Sequence, residues 1–383
     1  MKPCLRILVV CALLALSTAC ATASSPTVTV VPTVPLPTST QASVLMSANT
    51  MLVKRAAHTA TLLRDGTVLI AGGMGDDERP LVSAELYDLR MDTFTSVGDL
   101  NMARVSHTAT LLPDGRVLIA GGYGRANVVD SAELYDPQTR TFKLIAPMTT
   151  TCAAHTAVLL KDSSVLLAGG LGANWKFLET AELFDPATEA FTATGNMSLP
   201  RVSHTATLLY DGRVLIAGGQ QGRRSNIVVY ASAEIYDPLT GTFTTTGDVT
   251  IARHKHAASL LLDGRVLLLG GADESDWRGR YASSELYDPA TGVFTASDSM
   301  KTARFKLADA VVSLKNGRVL VAGGAESVET FDPATGVFES ANGQIDAARF
   351  FSTATLLSDG RVLILGGYDS EIVTSGRAWL FTP

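Results

Sequence analysis

Apolar and polar positions along this chain fall into a phrase that keeps returning. At residues 104–124, RVSHTATLLPDGRVLIAGGYG, a partly alternating run is followed by an Asp-Gly pair, a continuous apolar run and two glycines. The run HTATLL predicts a first strand, turned back by the Asp-Gly pair. The short run RVLIA predicts a strand buried on both faces. A glycine-rich turn after a strand can cradle a phosphate when it opens a helix, and such a loop normally occurs once. Nearly the same words stand at 55–75, 201–221 and 349–369, and no helical pattern follows them. The stretch is a repeat unit.

Paired glycines at 72/73, 121/122, 169/170, 218/219, 270/271, 323/324 and 366/367 mark seven units, spaced 49, 48, 49, 52, 53 and 43 residues apart. A period near 50 is the signature of propeller blades. Each unit reads as four short strands: the HTATLL run, the RVLIAGG run, SAELYDP (131–137) and its relatives, and a TFT-like last strand. Asp65-Gly66, Asp114-Gly115, Asp211-Gly212, Asp263-Gly264, Asn316-Gly317 and Asp359-Gly360 are expected to form two-residue type I′ hairpins, because such pairs accept positive φ. In DPLTGTF and DPATGVF, proline presets φ and Gly241, Gly292 and Gly336 take the left-handed position. The diglycine is expected where a Cβ would not fit. Unit seven supplies only three strands, and register places Leu45 at its missing aromatic position. The strand VLMS (44–47) is therefore expected to close the last blade.

The diglycine, the Tyr or Phe of ELYDP and the aromatic six residues after its Asp resemble the kelch repeat over residues 44–383. Phe94, Phe142, Phe191, Phe243, Phe294 and Phe338 stand where kelch families often carry Trp. The DGRVLIAGG wording is similar to the propeller of the galactose oxidase family. The resemblance implies an all-β fold, a seven-bladed propeller of kelch type closed by an N-terminal outermost strand.

Composition adds an address. Of 383 residues 46% are hydrophobic and 18% charged, enough apolar matter for a large core, and the net charge of −6 argues against a nucleic-acid partner. Lys2 and Arg6 precede the ten-residue apolar run Ile7–Leu16, which reads as a signal peptide over 1–19 and is too short to span a bilayer. LSTAC, Leu16 to Cys20, resembles a bacterial lipobox, which implies lipidation of Cys20; ordinary cleavage after Ala21–Ala23 is the other route, and both lead to export. Residues 20–43, rich in Pro, Thr, Ser and Val, read as a tether. After processing Cys152 is alone, so no intramolecular disulfide is expected.

Candidate chemistry lies at two places. In the galactose oxidase family copper ligands come from an Arg-x-Tyr-His motif at the start of innermost strands. Here His58, His107, His155, His204 and His256 follow Ala57, Ser106, Ala154, Ser203 and Lys255, so no tyrosine is available and radical copper oxidation is not expected. A ring of imidazoles suits a transition metal, but Leu307 and Ser352 break it, and the expectation is no metal and no cofactor, with each ring bonded to a neighbouring backbone group instead. Arg55, Arg104, Arg201, Arg253, Arg304 and Arg349 recur in the same motif. They would line an anion-binding channel mouth, as in kelch proteins that take acidic peptides or in the sialic acid mutarotase, or pair with the equally repeated Glu85, Glu133, Glu182, Glu234, Glu285 and Glu329.

The loops after each diglycine vary most, and long loops on a rigid scaffold commonly bind. They carry Tyr123, Trp175, Arg223, Arg224, Tyr230, Trp277, Arg278, Arg280, Tyr281 and Tyr368, residue types enriched at binding hot spots. The expected function is an exported, envelope-bound propeller that binds a glycan or a surface protein without catalysis, as a monomer held to the membrane through lipid alone. The competing reading is a periplasmic sugar-modifying enzyme of the mutarotase kind.

Overall fold

The computed structural model describes residues 43–223 and 226–383. The signal peptide, Cys20 and nearly all of the tether lie outside these residues, as does Arg224. The described chain is a β-propeller of four-stranded antiparallel units. Blade one runs from inside to outside as Thr59–Leu62, Val68–Ala71, Ala84–Asp88 and Thr93–Ser96. Each innermost strand packs beside those of two neighbours, and Thr59–Leu62 meets Thr353–Leu356, which closes a ring of seven.

The second strand explains why blades stack. All four residues of Val68–Ala71 are buried, and successive side chains point to opposite faces. Val68 and Ile70 pack with Leu363 and Leu365 of blade seven, while Leu69 and Ala71 pack with Val117 and Ile119 of blade two. A continuous apolar run is thus a strand with two hydrophobic neighbours. On the outer half, Tyr87 and Phe94 pair across the sheet with ring centres 4.8 Å apart, and an equivalent Tyr–Phe or Phe–Phe pair recurs in five further blades at 4.7 to 4.9 Å. In blade seven the pair is Phe381 and Leu45: Val44–Ser47 runs antiparallel to Ala378–Thr382 and completes the blade, as its register requires.

Each diglycine is dictated by close approach as well as by dihedral. Gly72 has φ of 59°, and a Cβ there would lie 2.7 Å from the Arg104 carbonyl and 2.8 Å from the His107 ring of the next blade. Gly73 has φ of 100°, faces its own Ala56 carbonyl at 2.8 Å, and donates its N–H to Arg104 O. The corresponding bond recurs at every joint, ending with Gly367 N–H to Arg55 O at 3.0 Å.

The Asp-Gly turns differ from expectation. Only the glycines have positive φ, 88° at Gly66, and the bonds run from Gly66 N–H to Leu63 O and from Leu63 N–H to Thr67 O. This is a three-residue loop, a type I turn followed by a glycine bulge. The aspartate instead accepts a hydrogen bond from the N–H two residues on, 2.9 Å from Thr67 N to Asp65 Oδ1, which holds it in the right-handed region. Gly241, Gly292 and Gly336 are left-handed as their turns require, with φ of 67°, 72° and 74°.

Candidate functional site at the channel mouth

The first and second strands of a blade are antiparallel, so the Arg motif and the post-diglycine loops emerge at the same end. The two candidate regions are parts of one face.

Arg55, Arg104, Arg201, Arg253 and Arg304 are fully buried and pair with Glu85, Glu133, Glu234, Glu285 and Glu329 at 2.6 to 2.7 Å. In blade one, Arg55 Nη1 also donates to Gly72 O and Ser83 O at 2.6 and 3.1 Å, and Glu85 accepts from Leu52 N and Val53 N at 2.7 and 3.0 Å. These guanidiniums spend their donors on glutamate and on the blade's own backbone, so of the two options the ion pairs form and the arginine mouth does not form from them. Two blades lack the pair. Blade three has Cys152 in place of arginine, and Glu182 keeps only Thr149 N and Oγ1, at 2.7 and 2.6 Å; burial pushes its carboxyl pKa up. Blade seven has Trp379 in place of the glutamate, and Arg349 turns to Asp346 at 2.7 Å.

The histidines are bonded, but to side chains rather than backbone. Each Nε2 meets a threonine hydroxyl of the preceding blade: His58 with Thr353, His107 with Thr59, His155 with Thr108, His204 with Thr156 and His256 with Thr205, at 2.9 to 3.1 Å. Thr156 also reaches Ala168 O at 3.4 Å, a contact in which its hydroxyl donates while its oxygen faces His204 Nε2. Burial drives these imidazoles well below their ordinary pKa, to about 3 at His58 and His204 and about 4 at His155. Where the link is broken both partners are gone: Ala257 faces Leu307, and Ala308 precedes Ser352. Neutral rings with Nε2 already bonded, and no tyrosine beside them, do not fit a copper centre of the Arg-x-Tyr-His kind.

One residue further toward the mouth, Ala57, Ser106, Ala154, Ser203, Lys255, Lys306 and Phe351 all take the left-handed conformation, with φ between 48° and 57°. Their backbones link blade to blade, for example Lys306 N–H to Lys255 O and Phe351 N–H to Lys306 O at 2.9 and 3.0 Å. The first four side chains are small. The last three are not, and around them the symmetry of the face is lost.

Over blades five to seven an aromatic and cationic cluster covers the gap left by the short loop of blade six. Phe305 and Phe350 are fully buried at its base, and Trp277, 43% exposed, meets them edge-on at 5.6 and 5.0 Å. Arg280 lies 4.7 Å over the Trp277 ring. Tyr368 stacks near Phe350 and Phe351, and its hydroxyl accepts from Lys306 Nζ at 3.1 Å. Lys255 is neutralised by Asp276 at 2.8 Å. Lys306 has no carboxylate within bonding distance among the described residues; burial pulls its pKa down and Asp276 only partly restores it.

The remaining loop residues divide. Tyr123 stacks on Trp175 at 5.6 Å, and Arg223 covers the Trp175 ring at 3.6 Å, which makes a second cluster over blades two to four. Tyr230 and Tyr281 lie over the buried Arg201 and Arg253 at 5.5 and 5.6 Å and serve the core rather than a shared surface. Arg278 is exposed. Sequence reasoning missed Lys306, Phe305, Phe350 and Phe351, although the change from Ala or Ser to Lys, Lys and Phe before the histidine position was there to read.

This architecture is a kelch-type propeller similar to that of galactose oxidase. A model of the Kelch motif matches residues 104–149, which span blade two. No curated protein matches the chain. Among solved structures, a fungal alcohol oxidase described as catalytically diverse within the AA5 family, in complex with copper, is similar with a TM-score of 0.71 at 16% identity. The likeness covers 89% of this chain and 76% of that one, and it is a likeness of fold.

Proposed function

We propose that this chain is an exported, lipid-anchored propeller that binds an acidic glycan, without catalysis, at the channel mouth of blades five to seven. The observation that carries the reading is the break in symmetry. In a ring whose joints repeat from blade to blade, Lys255, Lys306 and Phe351 stand on one arc of one face where the other four blades have Ala or Ser, and Trp277 and Tyr368 pack beside them. Aromatic edges and faces suit sugar rings, and a half-buried ammonium lacking a carboxylate suits an acidic substituent. The signal peptide at 1–19, lipidation at Cys20 and the 20–43 tether belong to this proposal. The mutarotase reading rested on a ring of accessible arginines, and their burial removes its support.

The test is an array of acidic and neutral glycans probed with residues 42–383, wild type beside Lys306→Met. The expected result is retention of acidic glycans by the wild type and their loss in the variant at unchanged melting temperature. Equal retention of neutral and acidic glycans, or indifference to Lys306→Met, would overturn the reading.

A further inference from the structure

Behind the mouth the central channel widens into a cavity of about 480 Å³. Its wall is built from threonine hydroxyls, alanine methyls and the neutral imidazoles already bonded to threonine, with three charged residues: Lys255, Lys306 and Asp309. Lys255 is paired outside the lumen with Asp276. Lys306 and Asp309 remain, of opposite sign, on the same blade, and they are not within ion-pair distance of one another.

Asp309 owes its position to a local defect. Where the innermost strands of blades one to four begin with His-Thr, each side chain bonded to a neighbouring blade, blade six has Leu307-Ala308, and the chain makes a short 3-10 turn over Ala308–Ala310 before its strand starts at Val311. The turn presents Asp309 to the lumen, ringed by blades on all sides. Its carboxyl is exposed to the lumen, with no charge or hydrogen bond to compensate among the described residues, and the surrounding protein pushes its pKa up. A carboxylate that lines a channel walled by protein and has no counter-charge draws a cation, because the low-dielectric walls focus its field.

We propose that the ligand is dipolar: its carboxylate meets Lys306 at the mouth, and an ammonium group of the same molecule enters the channel to meet Asp309. This rests on the mouth reading above and adds to it a second subsite and a ligand class, acidic compounds that also carry an amine. The geometry is that of a bipartite site, anionic end outward and cationic end inward. Asp309 is the one carboxylate among the residues that line the cavity.

Calorimetric titration with a series of ω-amino acids, from 4-aminobutanoate to 8-aminooctanoate, each beside the alkanoate and the alkylamine of equal length, reads the two subsites separately. One chain length should bind at least tenfold tighter than its alkanoate. In Asp309→Asn, shown by melting to be folded, that advantage should vanish while alkanoate binding is unchanged; in Lys306→Met both should be lost. The proposal is overturned if amino acid and alkanoate bind alike, or if Asp309→Asn leaves the advantage intact, and in either case alkanoate and acidic-glycan binding still report on the mouth. Absence of alkanoate, amino acid and glycan binding together would overturn both readings.

Discussion

Acid should unfold this propeller through its histidines. All six are buried, five in the interblade links and His254, whose Nε2 donates to Asp273 O at 3.0 Å. Each is held neutral, its pKa driven down by burial, to about 3 or about 4 at His58, His155, His204 and His254 and well below the ordinary value at His107 and His256. A folded-state pKa below that of the unfolded chain means the unfolded chain binds the proton first. Stability is therefore complete above about pH 6.5 and is lost as pH falls from there toward the folded values. Between pH 7.5 and 5.5 each histidine removes about 1.4 kcal/mol, so six remove about 8 kcal/mol, comparable with the whole stability of a typical domain. Glu182 and Asp309, whose pKa values are raised, act in the opposite sense and take up protons on the folded side. The measurement is guanidinium unfolding followed by tryptophan fluorescence at both pH values, repeated with His107→Gln, which should reduce the pH dependence by roughly a sixth. Stabilities within about 2 kcal/mol of each other at pH 7.5 and 5.5 would refute the reasoning.

Three further outcomes follow from the joints. Glu133→Gln leaves Arg104 buried without a counter-charge and should cost about 3–5 kcal/mol, whereas Glu182→Gln, which faces no arginine, should cost less than about 1 kcal/mol; equal losses in denaturant titration would show that the ion pair is not what matters. Deleting residues 21–40 should leave melting unchanged, while deleting 21–50 removes the strand Val44–Ser47, opens blade seven and should lower it clearly; identical melting would contradict the closure. Arg140 holds a left-handed turn position, φ of 56°, that Gly241 fills in blade four, so Arg140→Gly should raise stability by about 1 kcal/mol, and a loss of stability in the same assay would count against the turn assignment.

The blades were legible because a propeller repeats its physics. A second strand apolar on both faces and glycines with no room for a Cβ appear in every unit and an aromatic pair in six of the seven, and repetition converts weak local signals into a register firm enough to place Leu45 opposite Phe381. The turn type was misread because Asp-Gly fits two loop geometries, and only the bond donated by Thr67 N–H to the Asp65 carboxylate selects between them. The Arg–Glu pairs were readable as one of two options, since equal numbers do not reveal that the guanidinium points inward to Gly72 O. The histidine partner was also in the sequence, as the joint loss of Thr and His at Ala257 with Leu307. The mouth cluster was hidden for a different reason: Trp277 of blade five reaches Phe350 of blade seven across the short loop of blade six, a contact that no single repeat predicts.

The face carries two exposed tryptophans, Trp277 over blades five to seven and Trp175 over blade three, and they separate the central claim from its rival. The decisive measurement is the affinity of residues 42–383 for an acidic glycan retained on the array, in wild type, Trp277→Ala and Trp175→Ala, with melting recorded for each. A central aromatic anchor contributes about 2 kcal/mol or more, so Trp277→Ala should weaken binding by roughly thirtyfold, and Trp175→Ala by less than about threefold, with both proteins folded. Loss of binding in Trp175→Ala with Trp277→Ala unaffected would contradict the account and move the site to the arc of blades two to four.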